Sequence, residues 1–386
     1  MYSSVVEYIR QLFESADDFI PLHSPIFRGN EKKYLIECID SSFVSSVGKF
    51  VEQLEELVAH YTNSCKAVAC VNGTNALHLA LTLVGVKSGD EVVMQPLSFI
   101  ATANAIAYCG AHPLFIDVDK ETMGLSPYKL QSWLIENAEK KNNICYNKTT
   151  GRVIRACVPM HTFGHPMLIE DLVNVCNEWG IELVEDAAES LGSFYKEKHT
   201  GTFGKIGVIS FNGNKTITTG GGGMLLFQDE KLAARAKHLS TQAKVPHKWE
   251  FVHDDIGYNY RMPNINAALG CAQMECLPEF IKNKRELAFA YRSYFNKIGI
   301  TFFDEPVNCK SNFWLNVVLL NNRQERDEFL EYTNANGVMT RPIWQLMNRL
   351  SMFKDAQCGD LTNSEWFEER VVNIPSSVRI APIQLN

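Results

Sequence analysis

The chain has 386 residues, 46% hydrophobic and 21% charged, enough for two or three domains around a large core. A net charge of -7 argues against a broad electrostatic grip on nucleic acid and leaves only local cationic patches for small anionic ligands. No apolar run reaches membrane-spanning length, the acidic N-terminal stretch lacks the order of a signal peptide, and the 11 cysteines include no C-x-x-C pair, so a reducing, cytoplasmic location is expected.

Residues 1–20 carry Val5, Val6, Ile9, Leu12 and Phe13 at the spacing of a short amphipathic helix. Pro21 and Pro25 bracket an extended stretch, and residues 31–61 read as two helices interrupted at 41–48. An apolar strand at 66–71 leads through Asn72-Gly73-Thr74-Asn75 into an apolar helix over 76–84. The first turn of such a helix offers unpaired N–H groups and a positive dipole end to a phosphate, and Thr74 adds a hydroxyl. A plain helix cap explains the same residues.

The alternation continues with a strand at 91–94, a helix to 108 capped by Ser98, and a strand at 113–116. A helix at 127–137, a strand at 153–158, a helix at 168–179 stopped by Gly180 and a strand at 181–184 follow. This order indicates an α/β fold with a largely parallel sheet covered by helices, whose ligands sit outside the carboxyl ends of the strands. Phe99, His161, Phe163, Glu185 and Asp186 all fall just past strand ends. Asp186 could equally cap the turn at Ala187-Ala188, and Glu189 shares its face if a helical turn begins there. His161 and His165 are four apart, but Gly164-His165-Pro166 reads as a turn, and no metal site is expected.

A strand at 206–211, which carries Ser210, ends at the Asn212-Gly213 turn and is followed by Lys215, a Thr- and Gly-rich loop and a strand at 224–227. A lysine held between two buried strands is partly desolvated, which lowers an amine's pKa and favours Schiff-base chemistry with a carbonyl. A surface lysine in a hairpin loop is the plainer alternative. Asn214 stands where a P-loop needs glycine, and the glycines at 220–223 do not follow G-x-G-x-x-G, so neither nucleotide motif is present. From about residue 255 the character changes. Gly257-Tyr258-Asn259-Tyr260-Arg261-Met262-Pro263 is a polar-aromatic loop; 264–295 is helical, with Pro278 marking a break or kink. A strand at 316–320 and a helix at 324–335 belong to a smaller α+β region. The expected division is an N-terminal helical extension over 1–20, a large domain over 21–262 and a small domain over 263–386.

Three stretches together, Glu185-Asp186-Ala187-Ala188-Glu189, Ser210-Phe211-Asn212-Gly213-Asn214-Lys215 with its glycine loop, and Gly257-Tyr258-Asn259-Tyr260-Arg261, resemble the DegT/DnrJ/EryC1/StrS sugar-nucleotide aminotransferases. The resemblance runs from Gly29-Asn30-Glu31 to Thr340-Arg341-Pro342. The segment Ser45-Ser46-Val47-Gly48-Lys49-Phe50 is closest to the LegC/PglE-like subgroup, which aminates C4 of UDP-linked 4-keto-6-deoxy-N-acetylhexosamines for bacillosamine- and legionaminic-type surface glycans. The resemblance implies fold type I of the pyridoxal-phosphate enzymes, in a homodimer with active sites shared between subunits. It makes Lys215 the Schiff-base lysine and Asp186 the partner of the protonated pyridine nitrogen. Gly73, Thr74 and Ser210 would hold the phosphate, Asn259 would reach it from the partner subunit, and Phe99 would stack on the ring. Glu189 matches a position near the ring hydroxyl that often carries Gln or His, and as Glu it resembles the PglE-type variant. Arg341 and, more weakly, Arg261 are candidate substrate contacts, while His161 and Phe163 stay unassigned between substrate contact and packing.

The implied activity is transfer of an amino group from L-glutamate to C4 of a UDP-linked 4-keto-6-deoxy-N-acetylglucosamine, with pyridoxamine phosphate as the aminated cofactor. Two alternatives stay open: a C4 or C3 aminotransferase for a GDP- or dTDP-linked keto sugar of the perosamine type, and a non-catalytic binding or regulatory relative. A related dehydratase branch carries histidine where Lys215 stands.

Overall fold

The computed structural model describes residues 2–379. Seven strands form the central sheet: β1 (Lys66–Cys70), β2 (Glu91–Met94), β3 (His112–Phe115), β4 (Ile154–Cys157), β5 (Glu182–Asp186), β6 (Ile206–Ser210) and β7 (Gly223–Phe227). Their order across the sheet is β1-β7-β6-β5-β4-β2-β3. Strands β2 to β6 run parallel; β7 lies antiparallel between β1 and β6. The sheet is therefore α/β and mostly parallel, as the alternation of elements requires. Alternate residues feed opposite layers: Val68 and Cys70 of β1 pack to one side, Ala67 and Ala69 to the other.

The helices are α1 (Tyr2–Leu12), α2 (Glu31–Asp40), α3 (Lys49–Thr62), α4 (Gly73–Leu83), α5 (Ile100–Tyr108), α6 (Pro127–Asn137), α7 (Ile169–Trp179) and α8 (Glu230–Ser240). They are followed by α9 (Asn264–Lys297), α10 (Arg323–Ala335) and α11 (Thr362–Glu368). Helix α4 begins three residues before the sequence suggested, so Gly73 and Thr74 lie in its first turn. Asn72 makes this possible, its side-chain oxygen accepting from the Asn75 N–H at 2.8 Å. Ser98 does not cap α5. It is fully buried, its hydroxyl donates to the Phe99 carbonyl and to Thr102 Oγ1, and Phe99 takes the cap position without a side-chain bond.

Helix α9 continues through Pro278, which does not end it. At 1.5 Å per residue it is about 50 Å long. Its first half packs Ala268, Cys271 and Leu277 with α3 and the sheet; its second half packs Leu287, Tyr291 and Phe295 against the smaller sheet. That sheet contains β8 (Thr301–Phe302), β9 (Asn316–Leu319), β10 (Arg341–Pro342) and β11 (Val371–Ile374), all antiparallel in the order β8-β9-β11-β10. Helix α1 packs into the same core through Val5, Val6 and Ile9. The start of α9 is tied by Asn264. Its side-chain oxygen accepts from the Phe50 N–H at 3.0 Å, its amide donates to the Phe43 carbonyl at 2.7 Å, and its own N–H donates to the Ser45 carbonyl. Asn266 then donates to the Thr219 carbonyl at 2.7 Å, which fixes the glycine loop that follows Lys215.

Two polar side chains anchor the smaller sheet to the site. Lys284 of α9 is fully buried and donates to the backbone carbonyls of Trp314, at 3.1 Å, and Ser376. Burial without a carboxylate partner brings its pKa down to about 7. His165 is wedged edge-on between Phe303 and Phe313 with neither ring nitrogen hydrogen-bonded. All 11 cysteines are unpaired.

Burial pushes both His165 and His199 down to about 4 from the ordinary 6.5. Below pH 6.5 the unfolded chain therefore binds protons that the folded chain refuses. Stability is fully present above that pH and is lost as the pH falls toward 4, by up to about 3 kcal/mol for each ring. Urea midpoints measured from pH 7.5 to 4 should fall on the acid side, and His165→Phe should flatten that fall. An unchanged slope in the variant would exclude His165 as a source.

Candidate active site

The strands set out their chemistry along one edge of the sheet. The turn after β1 supplies Gly73 and Thr74, the turn after β2 Phe99, and the stretch after β4 Met160. Asp186 ends β5, Ser210 ends β6, and Lys215 follows on the loop toward β7. These residues line one cleft of about 290 Å³, closed on its far side by Trp314 and Trp344.

Lys215 is mostly enclosed. Its Nζ donates to Glu189 Oε1 at 3.3 Å and lies 3.9 Å from the centre of the Trp314 ring, the geometry of an ion pair and a cation–π contact. The Trp314 indole N–H donates to the Asn214 carbonyl at 2.6 Å, so the wall and the lysine loop hold each other. Glu189 is 3% exposed, and its second oxygen accepts from the Phe163 N–H at 2.9 Å. That donor is aimed by a backbone bend in which Phe163 takes φ 56° and Gly164 φ 93°. Phe163 is not glycine, so its left-handed conformation carries strain of order 1 kcal/mol or more. Burial raises the pKa of Glu189, and the nearby Lys215 and the Phe163 N–H partly offset the rise.

Asp186 does not begin a helix. Its Oδ1 accepts from the Ala188 N–H at 3.1 Å in a tight turn, and its Oδ2 accepts from the Thr102 hydroxyl at 2.6 Å. Glu189 nevertheless joins it in the cleft, because the turn closed by the Ser190 N–H to the Ala187 carbonyl brings both side chains to one side. Burial raises the pKa of Asp186 as well, against the lowering by Thr102, Ala188 and Lys215. Among the described residues it has no direct ion-pair partner, so this carboxylate suits a cationic ring nitrogen placed in the cleft.

Across the cleft, Gly73 permits the close approach of β6. A Cβ at that position would stand 3.1 Å from Ser210 Cβ. The free N–H groups at the start of α4 and the Ser210 hydroxyl could together hold a phosphate. A phosphate cradle, a carboxylate short of a cation and a lysine enclosed beside them fit pyridoxal phosphate in size and in chemistry.

Other residues singled out in the sequence lie elsewhere. His161 is buried beneath the sheet edge, 3.0 Å from Glu185 Oε2, and does not line the cleft. Glu185 also accepts from the N–H groups of Gly201, Phe203 and Gly204. Burial would raise its pKa, but these bonds with His161 bring it below the ordinary value. This is a structural clamp. The Phe163 ring packs against Trp344, 5.0 Å between centres. Asn259, Arg261 and Arg341 lie outside the cleft of their own chain. Arg261 Nε donates to Asn259 Oδ1 at 3.1 Å, while Arg341 donates to Asn334 and the Thr340 carbonyl. Sequence reasoning missed Thr102, Met160, Trp314 and Trp344. Thr102 alone had a local signal, being one helical turn past Phe99; the tryptophans come from the distant smaller sheet.

The sequence profile of the DegT/DnrJ/EryC1/StrS aminotransferase family matches residues 25–385. A GDP-perosamine synthase of Escherichia coli O157:H7 is 38% identical, over 87% of this chain and 88% of that protein. A GDP-perosamine synthase of Vibrio cholerae is 34% identical, over 92% and 94%. Among solved structures, the aminotransferase TlmJ from Streptoalloteichus hindustanus superimposes with a TM-score of 0.83 and 28% identity, over 93% of each chain. The chain belongs to the DegT/DnrJ/EryC1/StrS aminotransferase family and is a pyridoxal-phosphate-dependent sugar-nucleotide aminotransferase.

Proposed function

We propose that the chain moves an amino group from L-glutamate to the C4 ketone of a UDP-linked 4-keto-6-deoxy-N-acetylglucosamine. The observation that carries the chemistry is Lys215 enclosed with Asp186 and Glu189 opposite the start of α4. The UDP-linked N-acetyl sugar is supported by the resemblance of residues 45–50, and by Glu189, to the subgroup that handles such sugars. A second reading, a GDP-linked 4-keto-6-deoxy sugar, is supported by the GDP-perosamine synthases among the relatives.

In this reading Gly73, Thr74 and Ser210 bind the phosphate, Phe99 covers one face of the ring, and Asp186 holds positive charge at its nitrogen. Thr102 and Ala188 keep Asp186 oriented for that task. When bound, pyridoxal phosphate supplies the electron sink that makes loss of a C–H proton possible. Lys215 would hold the aldehyde of the bound group, and its amine is placed to act as the base that takes the α-proton of glutamate and as the acid that delivers a proton to sugar C4. Glu189 keeps the amine within reach, and Trp314 excludes water from its other side. Arg341, outside the cleft of its own chain, is the candidate contact for the anionic part of a substrate, and Arg261 the weaker candidate.

The reading includes a homodimer in which Asn259 serves the partner's site. Asn259 is exposed and turned away from its own cleft, and Phe43, Val47, Trp249, Phe251 and Ile256 expose apolar surface for such a contact.

Lys215→Ala should abolish turnover and remove the visible absorption of a lysine-bound cofactor; full activity would overturn the role. Asp186→Asn should retain binding but slow the half-reaction with glutamate by roughly a hundredfold or more in stopped-flow absorbance. An unchanged rate would reduce Asp186 to a turn residue. The acceptor is tested by letting glutamate bleach the holoenzyme and then adding UDP-4-keto-6-deoxy-N-acetylglucosamine or GDP-4-keto-6-deoxymannose. Recovery of the band with the UDP sugar alone is expected; recovery with the GDP sugar alone selects the second reading.

A further inference from the structure

Helix α4 carries a residue that none of the roles above uses. Its first turn faces the phosphate cradle, and five residues past Gly73 it carries His78, 8% exposed. His78 Nδ1 is 3.0 Å from the Tyr260 hydroxyl, and its ring meets Tyr258 and Tyr260 edge-on at 5.2 Å and 5.9 Å. The two tyrosines stack on each other at 4.9 Å. The loop that holds them, 257–261, lies extended against the end of α8, with a bridge between Thr241 and Asn259. Extended backbone alternates its side chains. Tyr258 and Tyr260 turn inward onto His78, while Asn259 and Arg261 turn outward.

The outward pair is electrostatically one-sided. Arg261 Nε donates to the Asn259 side-chain oxygen, which leaves the Asn259 amide hydrogens and the far side of the guanidinium pointing away as donors. Among the described residues Arg261 has no carboxylate partner, so the arm presents donors suited to an anion. The tie between His78 and Tyr260 is, among the described residues, the one side-chain hydrogen bond from 257–261 to the rest of the chain; the backbone bond from the Val71 N–H to the Tyr260 carbonyl, 2.8 Å, fixes the same residue at the end of β1. Burial lowers the pKa of His78, which favours the neutral ring, the form able to accept the hydroxyl proton.

We infer that His78 is the positioning residue of the Asn259–Arg261 arm, holding through Tyr260 the donors that one subunit offers to the cofactor phosphate of the other. The inference rests on the proposed shared site. Helix α4 then serves two phosphates, its own through its first turn and the partner's through the arm it braces.

The test is the affinity of the apoprotein for pyridoxal phosphate, titrated by protein fluorescence. His78→Phe should raise Kd about fivefold, the effect of one lost hydrogen bond. Tyr260→Phe removes the same bond while keeping the stacked rings, and should do likewise even if the first variant folds poorly. In a background that lacks both donors, Asn259→Ala with Arg261→Ala, neither change should weaken binding further. Equal losses in both backgrounds would make His78 a packing residue and overturn the inference, as would an unchanged Kd for Tyr260→Phe. Should Asn259→Ala itself leave the affinity unaltered, the shared site fails first and the inference falls with it.

Discussion

Two carboxylates and an amine lie largely removed from water in one cleft, and none of the three can be left without a partner there. Removing a carboxylate from water costs several kcal/mol unless hydrogen bonds or an opposite charge replace the lost hydration. Much of the local architecture answers that requirement. Thr102 and the Ala188 N–H hold Asp186, the strained bend at Phe163 holds Glu189, and the Trp314 face and Glu189 hold Lys215. One position stays open in this arrangement, a cation for Asp186, and it coincides with the charge that a protonated pyridine ring would bring. The protein is thus arranged around a charge that it does not itself supply.

Legibility in the sequence followed distance along the chain. Strand–turn–helix units declare themselves by periodicity, and the parallel sheet and the edge that carries the ligand follow from their order. Lys215, Asp186, Ser210 and Gly73 could be picked out because each sits at the last residue of a strand or in the stretch that follows it. Helix starts were less secure. The Asn72 cap placed Gly73 inside α4, and Ser98 was drawn inward to Thr102 rather than toward the helix end. Trp314 and Trp344 were out of reach because no local pattern says which far segment will fold over a cleft. His161 stood between substrate contact and packing in the sequence, and it clamps Glu185 beneath the sheet. Pro278 read as a break or kink in the helical stretch, and α9 runs on through it.

The smaller sheet contributes more than a lid of side chains. Lys284 reaches from α9 to the Trp314 carbonyl, and His165 wedges between Phe303 and Phe313 while its own chain neighbours shape the bend at Phe163. One long helix therefore carries the register of the large sheet to the wall of the cleft. A shift of α9 would move Trp314 against Lys215. The aromatic contact to the amine and the packing of the second core are two results of one placement.

The antiparallel insertion of β7 between β1 and β6 has a consequence for how the protein comes into being on the ribosome. Lys66 to Cys70 find their pairing partners only at Gly223 to Phe227, and the Asn266 side chain that ties the glycine loop lies further along the chain still. Gly73 and Ser210, the two halves of the proposed phosphate cradle, are brought together by strands far apart in synthesis order. Non-local pairing of this kind is slow to form, because a long loop must close before any contact rewards it. The nascent chain passes through most of its length with a half-made edge strand and no place for a cofactor. Capture of pyridoxal phosphate belongs to the last stage of folding, when it can lock an assembled sheet but cannot guide its assembly.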